Sequence, residues 1–161
     1  MPIYFWKPNE LPYGMFSQWY FSKFSYENIT FNCCEQFMMY YKALLFDDIE
    51  TAKMILEETN PRQQKALGRK VSGFDEKKWS NVKESIVYNA NYEKFNQNHR
   101  LKDVLLSTGN EELCEASPFD TIWGIGLSEN DALNGKKWRG KNLLGKALMY
   151  VREDLRKDLN L

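Results

Sequence analysis

Apolar residues recur at helical spacing through most of this chain, and residues with turn chemistry punctuate them. The run NCCEQFMMYYKALLF predicts a helix after Asn32, with Asn32 as cap and Glu35 three residues later, a capping-box arrangement. DIETAKMILEE predicts a second helix that stops before Asn60-Pro61. NPRQQKALG predicts a short third: Asn60 caps it, Pro61 opens it and Gly68 stops it. The longest segment, DEKKWSNVKESIVYNANYEKF, places Trp79, Val82, Ile86 and Ala90 at helical spacing behind Asp75 as cap. HRLKDVLLSTG predicts a short helix ending at Gly109, and NLLGKALMYVREDLRKDL a last one capped by Asn142, after a loop rich in Gly and Asn. Strand signals are weaker. Residues 1 to 32 read as irregular and β-rich, FSYENITFN alternates around Glu27-Asn28 as a short hairpin would, and ELCEAS alternates once more. Roughly six helices and a few short strands make the class α+β, predominantly helical, in a single domain spanning residues 1–161.

Charge narrows the function. Lys plus Arg equals Asp plus Glu at 22 each, so the net charge is zero, which argues against broad, sequence-independent binding to DNA. A small anion pocket is compatible with that balance. Aromatic residues make up 15% of the chain; such side chains fill cores, and they also stack on bases and sugars. The cysteines Cys33, Cys34 and Cys114 are odd in number and two are adjacent, which gives neither a disulfide framework nor a zinc spacing. With His99 the lone histidine, no metal site or other cofactor is expected, so activity should survive a chelator. Cysteine usage of this kind points to a reducing, cytoplasmic compartment. MPIYFWKPNE has a charge at Lys7 and no long apolar run, so it does not read as a signal peptide, and no stretch suggests a membrane span.

The stretch ASPFDTIWGIGL sets one carboxylate, Asp120, among a proline, two bulky aromatics and two glycines. Two readings apply. In the plain one Asp120 caps the following turn and Trp123 is core. In the sharper one Trp123 offers a face to a base or sugar and Asp120 a carboxyl for proton transfer, or for stabilising positive charge on a ribose ring. N-glycosidic cleavage needs that set, because its transition state is oxocarbenium-like and the leaving base takes a proton. Glu35 has a structural reading as the return half of its capping box, and a functional one as an acid placed at a helix N-terminus. Lys42 lies seven residues on, two turns later on roughly the same face. Either it snorkels to water, or its pKa is lowered so that it attacks a sugar aldehyde or orients a carboxylate. Arg69 and Lys70, just past a helix stop, complement the helix dipole or grip a phosphate. WRGKNLLG is the better anion candidate: Arg139 and Lys141 flank Gly140 just before a helix N-terminus at Asn142, where free N–H groups and the dipole favour anions.

Together, FSQWY, NCCEQFMMYYKALLF, ALGRKVSGFDEKKW, LLSTGNEELCEASPFDTIWGIGL and WRGKNLLGKALMYVR resemble the NADAR or YbiA-like family, in this order and over nearly the whole chain. The resemblance implies N-glycosidic cleavage on ribosyl compounds. One activity associated with the family removes the base from phosphorylated ribosylamino-pyrimidine intermediates of riboflavin synthesis. Another branch removes ADP-ribose from guanine in nucleic acid. It also implies that Glu35, Lys42 and Asp120 share a pocket as catalytic groups, with Trp79 and Trp123 near the base. Arg69, Gly124, Arg139 and Asn142 complete the substrate-binding set. The expected partner is a small-molecule ribosyl phosphate or ADP-ribosyl compound. A lysine-imine route would make Lys42 the nucleophile on the opened ribose; direct hydrolysis would use Glu35 or Asp120 to activate water. A non-catalytic sensor of NAD or ADP-ribose is the reading from another class. Two positions depart from the family pattern: Tyr41 stands where Gln or another polar residue is common, with an expected change in substrate contacts, and Asp47 stands where a glycine commonly ends the helix, with an expected change of cap alone.

Overall fold

The computed structural model describes residues 1–160. In chain order its elements are β1 (Ile3–Phe5), β2 (Phe24–Tyr26), β3 (Ile29–Phe31), α1 (Cys34–Leu45), α2 (Ile49–Glu57), α3 (Pro61–Arg69), α4 (Glu76–Asn96), α5 (His99–Ser107), β4 (Leu113–Glu115), α6 (Glu129–Leu133) and α7 (Leu143–Asp158). The class is α+β and predominantly helical, as the apolar spacing predicts. Seven α-helices form among the described residues, one more than expected, because the Gly- and Asn-rich loop contains α6. Ser128 starts that helix by accepting the Asp131 N–H on its hydroxyl. No helix of the described residues is long and apolar enough to cross a membrane.

The chain divides into two compact units, Phe21–Asn98 and Met1–Tyr20 with the segment from His99 onward. In the first, β2 and β3 pair antiparallel, with Phe24 opposite Phe31. Glu27 and Asn28 link them at φ 50° and 65°, the two left-handed residues that a tight hairpin turn requires. Phe24, Phe31, Cys34, Phe37 and Ala90 form the core beneath this hairpin. Each phenyl group removed from water there contributes about 1.5–3 kcal/mol. Tyr41 packs its ring against Tyr26, Phe31, Phe37 and Tyr40, so the residue that departs from the family pattern belongs to this aromatic cluster.

Helix α1 packs against α2, α3 and α4. Asn60 and Asp75 cap α3 and α4 as their positions predict. Two start and stop signals need correction. The cap of α1 is Cys33, with no side-chain cap bond, so the expected capping box does not form; Gln36 accepts the N–H of Asn32, the residue before the cap, at 2.7 Å. Asn32 instead donates its amide to the Thr59 carbonyl, and accepts from Gln64. Gly68 is buried inside α3 rather than after it, because a Cβ there would strike the Met39 side chain; it lets α3 approach α1. Asp47 ends α1 at φ 56°, the conformation for which glycine is the usual choice.

In the second unit β1 and β4 pair in parallel, Tyr4 opposite Cys114. Cys114, Ala116, Ile125 and Leu127 form a core with Tyr4 and Ala132 against it. Helix α7 packs on β4 and α5. Arg152, buried on α7, donates to the Thr108 hydroxyl and the Glu111 carbonyl and so ties the end of α5 to the approach to β4.

Candidate functional site

Lys42 occupies the last turn of α1, half-buried. Its ammonium sits 4.8 Å from the centroid of the Phe74 ring and 5.6 Å from that of Trp79. Each ring face attracts a cation by about 0.5–2 kcal/mol, so the two fix the nitrogen in place. Phe74 is exposed and lies in the turn before α4; Trp79, in the first turns of α4, is buried. Glu35, one helix end away, is 6% exposed. Burial lowers the Lys42 pKa below the ordinary 10.5; the Glu35 and Glu76 carboxylates act the opposite way, and Arg69 adds to the lowering. Glu35, Lys42, Arg69 and Trp79 are thus joined electrostatically or by contact within one unit. The sequence did not single out Phe74 and Glu76. Their signal was a solvent-facing phenylalanine beside an N-cap in GFDEKKW, a costly place for a large apolar ring.

Beneath α1, Cys34, Asn91 and Lys94 are fully buried. The Asn91 amide donates to the Val87 carbonyl at 2.9 Å and its oxygen lies 3.6 Å from the Cys34 sulfur. Burial holds the Lys94 ammonium below its usual range, with the Cys34 and Cys33 thiols pulling the other way. Burial pushes the thiols of Cys33 and Cys114 up to about 12 and that of Cys34 to about 11, so none is a ready nucleophile. Asn91 and Lys94 were also missed in the sequence; their signal was two polar residues at helical spacing from Val87 and Ala90.

In the other unit the loop after β4 is built from side chain-to-backbone bonds. Ser117 Oγ accepts the N–H groups of Phe119 and Asp120, at 3.4 and 3.2 Å. Asp120 Oδ1 accepts those of Ile122 and Trp123, at 2.9 and 2.8 Å. Asp120 therefore does cap the following turn, through one oxygen. Trp123 is half-buried. Gly124 is required by packing, because an added Cβ would stand 2.9 Å from the Glu115 carbonyl and 3.0 Å from that of Asp120.

The expectation of free N–H groups before α7 is corrected. The amides of Arg139 and Gly140 donate to the Ile125 carbonyl, and those of Lys141, Asn142, Leu143 and Leu144 to Thr121, Gly124, Ile122 and Trp123. Six consecutive donors are thereby taken by the Asp120 loop. Asn142 is the N-cap of α7 by position, as expected, but its side chain is used elsewhere. It makes no side-chain cap bond to its helix and adopts φ 54°. Its amide instead accepts from Glu115 N–H at 3.0 Å and donates to the Leu113 carbonyl at 2.9 Å, 1% exposed. It serves β4 as an extra strand edge would.

Among the described residues no group of three or more His, Cys, Asp or Glu side chains is placed to hold a metal ion. Around Lys42 the chemistry on offer is that of a confined amine with the Trp79 indole and the charges of Glu35 and Glu76.

Residues 4–156 match the NADAR domain, a span that takes in both units. The chain is 47% identical over 131 residues to Protein irg-1 of Caenorhabditis elegans, covering 79% of this chain and 62% of that one. It is 44% identical over 153 residues to N-glycosidase R617 of Acanthamoeba polyphaga mimivirus, covering 91% of this chain and 90% of that one. The NMR structure of the E. coli protein YbiA superposes with a TM-score of 0.81 at 28% identity, covering 98% of this chain and 86% of that one.

Proposed function

We infer the function from one premise: the chain belongs to the NADAR family. We propose that it is an N-glycosyl hydrolase that releases the base from a phosphorylated ribosyl compound of the ribosylamino-pyrimidine phosphate kind. The similarity to a protein named N-glycosidase across nine-tenths of both chains supports the reaction class. The observation that carries the route is Lys42, an amine half-buried against Phe74 and Trp79 with its basicity lowered by that burial. A lysine with a depressed pKa is neutral in a larger fraction of molecules, and the neutral form is the nucleophile.

A ribosylamine opens to a chain form in which C1 is doubly bonded to the nitrogen of the base. In the proposed route Lys42 Nζ adds to C1, and the base departs as its amine after taking a proton. The imine left between Lys42 and C1 is hydrolysed by water to the free sugar and the free lysine. Glu35 and Asp120 are the groups we assign to proton transfer: one protonates the leaving nitrogen, the other takes a proton from water. Trp79 and Trp123 offer faces to base and sugar, and Arg69 and Arg139 are the side chains we assign to the phosphate.

Base release from ribosylamino-pyrimidine phosphates, measured beside NAD and ADP-ribosylated guanosine, tests the substrate. The expected order puts the ribosylamine phosphate first. Faster release from ADP-ribosylated guanosine would move the chain to the nucleic-acid-linked branch. Tight binding of ADP-ribose without any base release would make it a sensor. Lys42→Met tests the route: direct hydrolysis, with Glu35 or Asp120 activating water, would leave that variant active.

A further inference from the structure

A single exposed apolar ring is ordinary on a protein surface, but Phe74 is both exposed and held. It is 44% exposed, against 7% for Trp79, the other ring beside the Lys42 ammonium. The turn that carries it is fixed at three points, all within the unit Phe21–Asn98. Val71 is buried, the Ser72 N–H donates to Asp48 Oδ2 at 2.9 Å, and the Phe74 ring meets that of Phe46 at 5.4 Å. Gly73 links these points at φ 72°, a left-handed position that suits glycine. Asp48 in turn donates its own N–H to the carbonyl of Ala43, the residue after Lys42, at 2.9 Å. The Ser72 N–H, followed by the Thr51 hydroxyl and N–H, holds the Asp48 carboxyl down to about 2, so this pin stays charged across the ordinary pH range. The end of α1 that bears Lys42 and the ring beside its ammonium are thereby tied together through one carboxylate residue.

A π face attracts a cation far more than a neutral amine. In the proposed route the Lys42 nitrogen is a cation twice. In the resting chain it is an ammonium, with burial, the Glu35 carboxylate on α1, Glu76 on α4 and Arg69 on α3 setting its acidity. Later its lone pair forms the bond to C1 of the protonated, ring-opened substrate. The bond from C1 to the base nitrogen then breaks, its electron pair stays on that nitrogen, and a proton given up by Nζ goes with it. The positive charge that entered on the substrate imine ends on the Lys42 nitrogen, as the iminium C1=Nζ. A ring that attracts the first cation is in place for the second.

We propose that Phe74 is a positioning residue for Lys42: its π face, held by the turn that Asp48 pins, keeps the nitrogen in place as a cation, first as the ammonium and then as the iminium. The hold on the ammonium stands on the contacts alone. The hold on the iminium rests on the reading of Lys42 as the nucleophile of an N-glycosidase. Phe74→Leu separates the π face from everything else, because it keeps apolar bulk against Phe46 and leaves Glu35, Arg69, Glu76 and the Lys78 ammonium beside Phe46 in place.

Two measurements need no turnover. The pH dependence of Lys42 acetylation by acetic anhydride, followed by peptide mass spectrometry, reads the pKa of the amine. Phe74→Leu should lower it by about half to one pH unit, since the ammonium loses a partner and the amine does not. A merely loosened site would instead return it towards 10.5. Glycolaldehyde with cyanoborohydride reads imine formation, as a secondary amine left on Lys42. At a pH above both pKa values that labelling should fall about three- to tenfold in Phe74→Leu, and base release with it. The variant thus gains neutral amine and loses rate. Phe74→Tyr, which restores a π face, should bring all three readings back to within about twofold of the wild type. An unchanged or raised Lys42 pKa in Phe74→Leu would overturn the assignment. So would undiminished glycolaldehyde labelling, or a failure of Phe74→Tyr to restore either value. Both labelling results as expected, in a wild-type chain that releases no base, would support the hold of Phe74 on the nitrogen and sink the N-glycosidase reading instead.

Discussion

Lys42 and Asp120 belong to different compact units, and the backbone makes opposite demands on them. Lys42 bonds to no turn or cap among the contacts described above. It lies against Phe74 and Trp79, and its acidity is set by burial and by the charges of Glu35, Glu76 and Arg69. Asp120 uses Oδ1 to hold two backbone N–H groups of its own loop. That loop in turn takes six N–H donors from residues 139–144, which lead into α7. One charged group is tuned by its surroundings, and the other builds its surroundings. A substitution at the first should change chemistry with little cost in folding, whereas one at the second should change both unless the replacement keeps the acceptor oxygen.

The largest effect should come from Lys42→Met. Turnover should fall by several orders of magnitude in a chain whose thermal unfolding is unchanged or shifted upward, since a half-buried charge is removed. Next come Glu35→Gln and Asp120→Asn, each lowering turnover by about 100- to 10,000-fold. Asparagine keeps an oxygen for the Ile122 and Trp123 N–H groups, so Asp120→Asn should leave calorimetric stability nearly intact. Equal rates for Asp120→Asn and the wild type would reduce Asp120 to the cap that it also is.

The pH profile sharpens the contrast. Activity that needs neutral Lys42 rises with pH along a limb lying below 10.5. Arg69→Met removes a neighbouring positive charge that lowers the Lys42 pKa, so the limb should move to higher pH. Glu76→Gln removes a negative charge that raises it, so the limb should move to lower pH. The same lowered pKa has a stability consequence. Between the depressed folded value and 10.5 the unfolded chain binds more protons than the folded one, so this contribution rises with pH across that window, and Lys42→Met should flatten it.

Smaller effects belong to stability alone. Asn142→Ala removes two hydrogen bonds that pin β4 and should cost about 2–4 kcal/mol in chemical denaturation. Asp120→Ala, which lacks the acceptor, should cost about 1 kcal/mol more than Asp120→Asn.

Local chemistry was legible in the sequence and long-range pairing was not. Asn60 and Asp75 cap their helices because an acceptor two or three residues before an orphan N–H needs no distant partner. The Glu27-Asn28 turn is local for the same reason. Sequence reasoning placed the cap of α1 one residue early, because Asn32 and Cys33 both precede the apolar run and a distant segment decides between them: the Thr59 carbonyl and Gln64 claim the Asn32 side chain. Gly68 looked like a stop from its position and proves to be a packing contact with Met39, a residue on another helix. The expectation of free N–H groups before α7 failed similarly, since they look unpaired until the carbonyls of residues 121–125 fold onto them. At Lys42 the spacing allowed both a solvated and a confined amine. Phe74 and Trp79, more than thirty residues away, make it confined.

The account stands most directly on the fate of Lys42 during turnover. Reduction of the reacting chain with borohydride, followed by peptide mass spectrometry, should find a sugar phosphate joined to the Lys42 nitrogen as a secondary amine. An unmodified Lys42 in a chain that releases base at full rate, or the sugar attached to a different lysine, would contradict it.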